Sequence, residues 1–384
     1  MDTIKRITLF KVSPRWLFVK ITTAEGIEGW GEPTLEGKAD TVAAAVREFR
    51  DELIGADPSR IEDLFQRCYR GQFYRGGPVL MSALSGIEQA LWDIKGKRLG
   101  VPAYELLGGA VRDKMKVYAW VGGDSPSQLV EAIRRRQEDG FRHVKMNAVG
   151  KTEWVESPAS INRIVAQVTE IREEIGWDIG VGLDFHGRVR KAMAKQLAHK
   201  LSPLQPMFLE EPLLPEHLDA LGQVARHTAT PIATGERMFG RWDFKKLFEE
   251  GWVDIIQPDL SHTGGLWEAR KIAAMAETYD IAVAPHCPLG PIGLAASLQL
   301  DFCTPNALLQ ETSQGIHYHK DSADLLDYVA NPDIFRISDG YIRRSDQPGL
   351  GVNIDEGKVR EAAQKGHNWH NPIWRGKDGA IIEW

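Results

Sequence analysis

The sequence predicts an α/β protein built around a (β/α)7–8 barrel of the TIM type, with an N-terminal α+β capping domain that the C-terminal segment completes. From Lys116 onward, short apolar runs alternate with amphipathic helical stretches, a rhythm typical of parallel β-sheets. The runs number eight when 117–121 (VYAWV) is the first, which is the strand count of a closed barrel. The first part of the chain has a different pattern, which indicates a separate unit.

This first part, residues 1–115, begins with strand-like alternation in TIKRITLFKV and WLFVKITT and a turn at AEG. Two helical patterns follow: TVAAAVREFRDELIG, which ends on Gly55, and MSALSGIEQALWDIKGKRLG, which ends on Gly100. We therefore expect an α+β capping domain over 1–115 and the barrel over 116–327. Residues 328–384 break the strand–helix rhythm and are expected to fold back onto the capping domain.

Composition excludes several classes of function. The 384 residues are 43% hydrophobic and 26% charged, with a net charge of −6 and no basic block, so neither nucleic-acid nor membrane binding is expected. No run of about 20 apolar residues is present, and the N-terminus lacks the apolar core of a signal peptide. The three scattered cysteines argue against a disulfide framework and predict a cytoplasmic protein.

Polar residues stand at or just beyond the end of most of the apolar runs. From Asp184 to Glu311 the successive acids and His286 are 26, 26, 23, 27 and 25 residues apart, about one βα unit per step. Strand ends of a barrel meet at one rim, where active sites are built. We therefore expect one pocket to contain Lys145, Asn147, Asp184, His186, Glu210 or Glu211, Glu236, Asp259, His286 and Glu311.

Three of these carboxylates, from Asp184, Glu210 and Glu236, predict a metal site. Hard oxygen ligands without a nearby cysteine suit Mg²⁺ better than zinc. A lone acid at a strand end is more often a helix cap or a salt-bridge partner, but three at regular spacing favour the metal. Adjacent strand residues face opposite ways, so only one of Glu210 and Glu211 should bind, and the local pattern leaves that choice open.

Two histidines are candidate proton carriers. Residues i and i+2 of a strand point to the same side, so His186 is expected to lie beside Asp184. Asp259 ends the strand before His286 and is expected to hold its imidazole, fix its tautomer and raise its basicity. The pairs His317 with His319 and His367 with His370 lack the further ligands of a zinc site and are interpreted as loop histidines.

The set formed by Asp184, Glu210 in LEEP, Glu236 in GERM and the Asp259/His286 pair resembles the enolase superfamily, in particular its mandelate-racemase-type branch. Longer stretches are similar to the D-galactonate dehydratase family of bacterial sugar-acid catabolism. They run along essentially the whole chain and include PRWLFVKI, GWGEP, FYRGGP, QALWDIKGK, LDFHGRV, GERMF, QPDLSHTGG, APHCPLGPI, GIHY and PGLGV.

The resemblance implies a role for each matching residue. Asp184, Glu210 and Glu236 would bind Mg²⁺. His286 would be the base, supported by Asp259, and His186 the general acid, while Glu311 would hydrogen-bond the enolic intermediate. The family's capping domain supplies specificity loops, here around 13–16 and 73–77, which makes Arg15, Tyr74 and Arg75 the candidate substrate-binding residues. Family members are commonly homo-oligomers, so we expect one here.

The implied reaction is dehydration of a sugar acid, most simply D-galactonate to 2-dehydro-3-deoxy-D-galactonate and water. Mg²⁺ and Lys145 would offset the charge that develops when the C2 proton leaves, and His186 would protonate the departing 3-hydroxyl. A racemase of this branch has a second lysine where this chain has Asn147, which would instead bind substrate. The alternatives are a dehydratase of another aldonate or aldarate, and a catalytically silent barrel that only binds a ligand.

Overall fold

The computed structural model describes residues 2–316, 318 and 322–384, so His317 and His319 lie outside the described residues. The chain starts with a three-stranded antiparallel sheet in which Phe10 pairs with Phe18. Its strands are β1 (Ile4–Val12), β2 (Trp16–Thr23) and β3 (Glu28–Gly31). The helices that follow are α1 (Ala39–Glu48), α2 (Arg50–Leu53), α3 (Ile61–Tyr69), α4 (Gly77–Leu99) and α5 (Ala103–Leu106).

Helix α4 is the centre of the capping unit and is buried over most of its length. It ends at Gly100, whose left-handed conformation (φ 70°) matches the predicted glycine C-cap. The helical pattern predicted over 41–55 is divided between α1 and α2 at Phe49, whose backbone stays in the right-handed helical region (φ −69°, ψ −10°). Phe49 and Leu53 are both buried in the core.

Eight parallel strands form the predicted barrel. Seven of them follow one another in order, and the eighth pairs with the first. The wall closes through Val283, which exchanges hydrogen bonds with the backbone at Asn306 and Leu308 just before the eighth strand. The strands are β4 (Lys114–Val121), β5 (His143–Asn147), β6 (Gly180–Asp184), β7 (Leu209–Glu210), β8 (Ile232–Thr234), β9 (Ile255–Ile256), β10 (Ala282–Val283) and β11 (Gln310–Thr312).

The helices between these strands surround the barrel. Ser125 is the N-cap of the first of them, and its side chain accepts a hydrogen bond from the backbone N–H of Gln128. They are α6 (Pro126–Glu138), α7 (Pro158–Ile175), α8 (Lys191–Leu201), α9 (Leu221–Ala225), α10 (Arg241–Glu250), α11 (Leu266–Glu277) and α12 (Pro291–Phe302). No helix in the described part of the chain is long and apolar enough to cross a membrane.

The barrel interior is filled by a small buried cluster that includes Tyr118, Phe208 and Ile255. Tyr118 and Phe208 meet edge to face, with ring centroids 6.0 Å apart. The barrel is therefore a packed core and not a pore. This apolar layer forms the floor on which the polar strand ends lie.

The chain after β11 contacts both units. Tyr328 packs edge-on against Trp16 and Phe18 of β2, as the predicted return to the capping unit requires. Short 3₁₀ helices occupy Ser202–Leu204, Pro215–Ala220, Leu325–Tyr328 and Pro332–Phe335. The remaining elements are β12 (Ile337–Ser338), β13 (Tyr341–Arg343), α13 (Glu356–Lys365), β14 (Trp374–Arg375) and β15 (Ile381–Ile382). The domain limits at 115 and 327 stay predictions.

Residues 367–384, called the tail segment below, do not all fold onto the capping unit. His367 lies 3.3 Å from the carbonyl oxygen of Trp16, but Glu383 forms an ion pair with Arg190 of the barrel. Trp374 of β14 packs against the guanidinium of Arg188, 4.8 Å from the ring centroid. The expectation that the whole C-terminal part returns to the capping unit is therefore corrected, because cation–π contacts hold its end at the barrel rim.

Two buried carboxylates of the capping unit cap helices of the barrel. Glu88 of α4 accepts hydrogen bonds from the backbone N–H groups of Leu266 and Trp267 (2.7 and 2.9 Å), at the start of α11. Glu32, after β3, accepts those of Gly290 and Gly293 (2.7 and 2.9 Å), at the start of α12. Each carboxylate satisfies free N–H groups of a helix terminus and is favoured by the helix dipole. These contacts fix the capping unit on the barrel.

We predict that Glu88→Gln lowers the free energy of unfolding by about 1–3 kcal/mol, because the amide group must point at least one N–H donor toward another donor. One Glu88 oxygen already accepts from both Trp267 N and Trp92 Nε1 (2.6 Å), so the new NH₂ would face Leu266 N. Urea unfolding measures the change. The exposed Glu48→Gln is the matched control, and equal stability of the two variants would contradict the capping role.

Candidate active site

A cavity of about 660 Å³ opens at the carboxyl ends of the barrel strands, between the barrel, the capping unit and the tail segment. Its size suits a small organic ligand. The predicted site residues that line it are Arg15, Lys145, Asn147, Asp184, His186, Glu236, His286 and Glu311. Glu210 and Asp259 lie behind this lining, fully buried and hydrogen-bonded to lining residues.

Strand register brings the acids of neighbouring strands together. Asn147 of β5 pairs with Asp184 of β6, and Asp184 pairs with Glu210 of β7. The three residues therefore form one row across the ends of three parallel strands. Lys145 is two residues before Asn147 on β5 and points to the same side of the strand.

Lys145 is the centre of a buried ion network. Its Nζ atom lies 2.7 Å from Glu210 Oε1, 2.9 Å from Glu311 Oε1 and 3.8 Å from Asp184 Oδ2, and its side chain is 2% exposed. Burial opposes the charged form, but Glu210 and Glu311 outweigh it and hold the pKa of Lys145 well above its usual value. The lysine is a fixed positive charge at the cavity floor.

His186 lies beside Asp184, but for a different reason than the strand pattern suggested. Strand β6 ends at Asp184, and His186 has a left-handed backbone (φ 50°) in the turn that follows. Asp184 Oδ1 accepts the His186 backbone N–H at 2.8 Å, and His186 Nε2 lies 3.1 Å from Asp184 Oδ2. Burial lowers the pKa of His186, but the Asp184 charge outweighs it, so the pKa is raised.

Arg188 fixes the other side of the same ring. Its guanidinium NH2 lies 2.9 Å from His186 Nδ1. Arginine can only donate, so in the neutral ring Nδ1 accepts and the proton is on Nε2, on the Asp184 side. Uptake of a second proton, which the Asp184 charge favours, gives the imidazolium that can act as an acid.

Asp259 and His286 form the predicted pair. Asp259 Oδ2 lies 2.8 Å from His286 Nδ1, and Asp259 Oδ1 accepts the Ser261 backbone N–H at 2.7 Å. The carboxylate is thus held by its own neighbour and can accept the Nδ1 proton, which leaves Nε2 as the basic atom. Burial lowers the pKa of His286, but Glu236 and Asp259 outweigh it and raise the pKa well above its usual value.

The carboxylates of Asp184, Glu210 and Glu236 fit a divalent cation by their chemistry. Among the described residues, no hydrogen bond reaches the buried Asp184 Oδ2 or Glu236 Oε2, although imidazole nitrogens lie 3.1 and 3.3 Å away without hydrogen-bond geometry. Burial and the neighbouring acids raise the pKa of Glu210 well above its usual value, which a bound cation would reverse. Three hard oxygen donors with free lone pairs suit Mg²⁺.

The ligand atoms are not yet gathered around one point. Among the described residues, only Asp259, His262 and His286 place ligand atoms within 4.8 Å of one another. That group has one carboxylate, which already accepts from His286, so we interpret it as support for the imidazole. Glu210 is turned toward Lys145 Nζ and Gln257 Nε2 (2.6 Å), so cation binding requires it to rotate.

The choice between Glu210 and Glu211 follows from the backbone. Glu211 leaves the strand with a left-handed conformation (φ 39°) and points away from Lys145. Its carboxylate forms a two-pronged ion pair with Arg237, at 2.9 and 2.5 Å. Glu210 is thus the carboxylate that contacts Lys145, and its role as a metal ligand stays a prediction from the family resemblance.

The three residues predicted from the capping loops differ in outcome. Arg15 lines the cavity, with its guanidinium 3.9 Å from the Tyr318 ring centroid. Tyr74 and Arg75 do not line it in this single chain. Tyr74 is 85% exposed, and Arg75 packs on the ring of Tyr69, on the outer surface beside Trp242.

Several cavity residues were missed by the sequence reasoning. Arg188 and Arg237 each follow a predicted site residue closely, so proximity in LDFHGRV and GERMF was an available signal. The tail segment carried no periodic pattern, but its tryptophan-rich sequence NWHNPIW was unusual. Six of its residues line the cavity: Trp369, His370, Asn371, Pro372, Trp374 and Trp384.

Comparison with known proteins agrees with this architecture. Residues 10–108 match the N-terminal domain of the mandelate racemase/muconate lactonizing enzymes, and residues 128–358 match the enolase C-terminal domain-like family. The chain belongs to the mandelate racemase/muconate lactonizing enzyme family. This membership accounts for the barrel with its capping unit.

Individual members of this family are similar over the full chain. D-galactonate dehydratases from Ralstonia pickettii and from Pectobacterium atrosepticum are each 55% identical over 99% of this chain and 100% of their own. A crystal structure of a putative galactarate dehydratase from Agrobacterium radiobacter, with bound Na and L-malate, has a TM-score of 0.92 at 30% identity, with all of both chains covered. A crystal structure of an enolase from Pantoea ananatis with bound D-gluconate and Mg has a TM-score of 0.87 at 29% sequence identity, again with all of both chains covered.

We predict that Asp259→Asn lowers the pKa of His286, because a neighbouring negative charge is removed. The amide cannot stabilise the imidazolium, so the ring stays neutral to lower pH. NMR titration of the histidine ring signals measures the shift, with the exposed His199 on α8 as internal control. An unchanged His286 titration would show that the two residues are not coupled.

Proposed function

We propose that this protein is a sugar-acid dehydratase that converts D-galactonate to 2-dehydro-3-deoxy-D-galactonate and water. The observation that carries the proposal is the pair of proton carriers in one cavity. His286, backed by Asp259, and His186, backed by Asp184 and Arg188, both line the cavity that contains Lys145. One base and one acid around a fixed positive charge are what elimination of water requires.

Substrate class follows from the charge of the cavity. The lining contains four cations, from Arg15, Lys145, Arg188 and Arg237, and four carboxylates, from Glu36, Asp184, Glu236 and Glu311. A bound divalent cation would give this lining a net positive charge, which favours an anionic acid over a neutral sugar. Mg²⁺, the cation that we propose for Asp184, Glu210 and Glu236, supplies positive charge at the substrate carboxylate when bound. The full-length D-galactonate dehydratase relatives at 55% identity support galactonate as that acid.

The first step is removal of the C2 proton. His286 Nε2 takes the proton in the neutral form of the ring, in which Asp259 accepts the Nδ1 proton. A cation held by Glu236 would favour this neutral form, because it would offset the Glu236 charge that raises the pKa of His286. Negative charge then develops on the substrate carboxylate, where the positive charge of Lys145 stabilises it without rearrangement. Glu311 is held in place by Lys145 and by the backbone N–H of Cys287 (3.0 Å), and we assign it to hydrogen-bond the enolic intermediate.

The second step is loss of the 3-hydroxyl. Hydroxide is a poor leaving group, so His186 in its imidazolium form donates a proton to the departing oxygen, water leaves and the ring becomes neutral. The resulting enol gains a proton at C3 and loses the proton of its 2-hydroxyl to become the 2-keto acid, so the sum of the steps is the loss of one water. Asn147, in register with Asp184, cannot remove a proton from the opposite face, which disfavours racemisation.

The direct test is a panel of aldonates and aldarates assayed for 2-keto-acid release, with and without EDTA. We expect D-galactonate to be the best substrate and EDTA to abolish turnover. Glu210→Gln should lose at least about 10²-fold in turnover, whereas its neighbour Glu211→Gln should retain most activity, because its remaining oxygen still accepts from Arg237. EDTA-resistant turnover, or equal losses in both variants, would contradict the metal assignment. A preference for gluconate or galactarate would correct the substrate.

A second experiment separates the two histidines. His286→Asn should abolish elimination of hydroxide and also of fluoride from a 3-fluoro analogue, because neither can leave before the C2 proton is removed. His186→Asn should lose about 10²–10⁴-fold with the natural substrate but process the fluoro analogue at a substantial rate, since fluoride needs little acid assistance. The opposite pattern would mean that the roles are reversed.

We also infer a cytoplasmic location and a homo-oligomeric state. The cysteines Cys68, Cys287 and Cys303 are all free and buried, which supports a reducing compartment. Phe73 and Tyr74 are 90% and 85% exposed on one turn, and such adjacent apolar side chains favour contact with a second copy. Sedimentation of the purified chain measures the oligomeric state, and a monomer at micromolar concentration would contradict it.

A further inference from the structure

We propose that the tail segment builds the subsite for the distal carbons of the acid and so selects its length. In this subsite Trp369 and Trp384 pack against the carbon chain, and His370 and Asn371 bind its terminal hydroxyls. The proposal rests on the proposed function, because it takes a sugar acid as the ligand. The sequence pattern gave no role to these residues, which were interpreted as part of a segment returning to the capping unit.

The rings of Trp369 and Trp384 lie between the proposed acid and the capping unit. Trp384 lies against the proposed acid, with its ring centroid 6.4 Å from that of His186. Trp369 lies 6.2 Å from Trp384 and 4.9 Å from the guanidinium of Arg15, so the two rings form a continuous wall from His186 to the capping unit. All four residues line the same cavity.

In the proposed mechanism the carboxylate and the first three carbons of the acid contact His286, Lys145 and His186. Trp384 lies beside His186, which would act at C3, so we place carbons four to six of a six-carbon acid along the wall. A four-carbon acid, which has one carbon beyond C3, would make little contact with the wall.

The chemistry of the wall suits a polyol chain. Aromatic rings offer large apolar faces for the C–H groups of a sugar, and cavities of this kind typically combine such faces with a few polar groups. Asn371 supplies both donors and an acceptor, and His370 supplies one of each in its neutral form. Both side chains are exposed, so they can exchange water for the hydroxyls of a bound chain.

The tail segment is anchored by contacts that do not involve the rings of Trp369 or Trp384. Glu383 pairs with Arg190 at 3.4 Å, and Trp374 packs on Arg188 and on Lys151. Replacing Trp369 or Trp384 therefore leaves these contacts in place. A loss confined to long acids can then be assigned to the rings, whereas a displaced tail would weaken all acids.

The test measures binding in a chain that cannot turn over. In a His286→Asn background with saturating Mg²⁺, calorimetry compares D-galactonate with a four-carbon acid of the same configuration at C2 and C3. We expect Trp384→Ala and Trp369→Ala each to weaken the six-carbon acid by about 3- to 10-fold, the range for loss of one aromatic contact, and to leave the four-carbon acid within about twofold. The control is Trp177→Ala, a 62% exposed tryptophan just before β6, at the opposite end of the barrel.

Equal losses for both acids would overturn the proposal, since they indicate a structural role. Unchanged affinities would overturn it as well. The binding measurement does not depend on catalysis. If the protein binds long acids through the tail segment but dehydrates none of them, only the proposed function is contradicted. If the aldonate panel identifies another acid as the substrate, the binding experiment compares that acid with its four-carbon analogue. If no acid binds, both the proposed function and the tail-segment proposal are contradicted.

Discussion

Everything at the mouth of this barrel depends on balancing buried negative charge. Asp184, Glu210 and Glu311 surround Lys145 within 4 Å, and all four side chains are at most 2% exposed. Buried charges without partners are strongly destabilising, so the positive charge of Lys145 is needed to offset the buried carboxylates. The arrangement leaves an excess of carboxylate, which is the electrostatic reason that a divalent cation and an anionic ligand can share one cavity.

The strand ends of a parallel barrel explain why the site was visible in the sequence. Each βα unit returns the chain to the same rim, so regular spacing alone brought Asp184, Glu210 and Glu236 to neighbouring positions. Pairing across β5, β6 and β7 then puts Asn147 in the same row. Residues on regular strands could be predicted because their direction follows from the fold.

Other features could not be predicted, because they depend on irregular backbone and on contacts between distant segments. The choice of Glu210 over Glu211 is decided by one left-handed residue, and His186 reaches Asp184 through a turn and not along a strand. Tyr74 and Arg75 were placed in the pocket by family resemblance, but their turn lies on the outer surface of this chain. The tail segment is positioned by Arg188 and Arg190, more than 180 residues earlier, and no local pattern encodes such contacts.

The hydrogen bonds of Glu32 and Glu88 to the barrel helices determine which side of the cavity can open. Both carboxylates accept hydrogen bonds from amide groups at helix ends that are buried or partly buried. Lifting the capping unit would break four such hydrogen bonds at once, so this side of the cavity acts as a fixed wall. The opposite side is closed by rings and a partly exposed ion pair, which separate at much lower cost. We therefore expect substrate to enter and water to leave the cavity on the side beside Trp384.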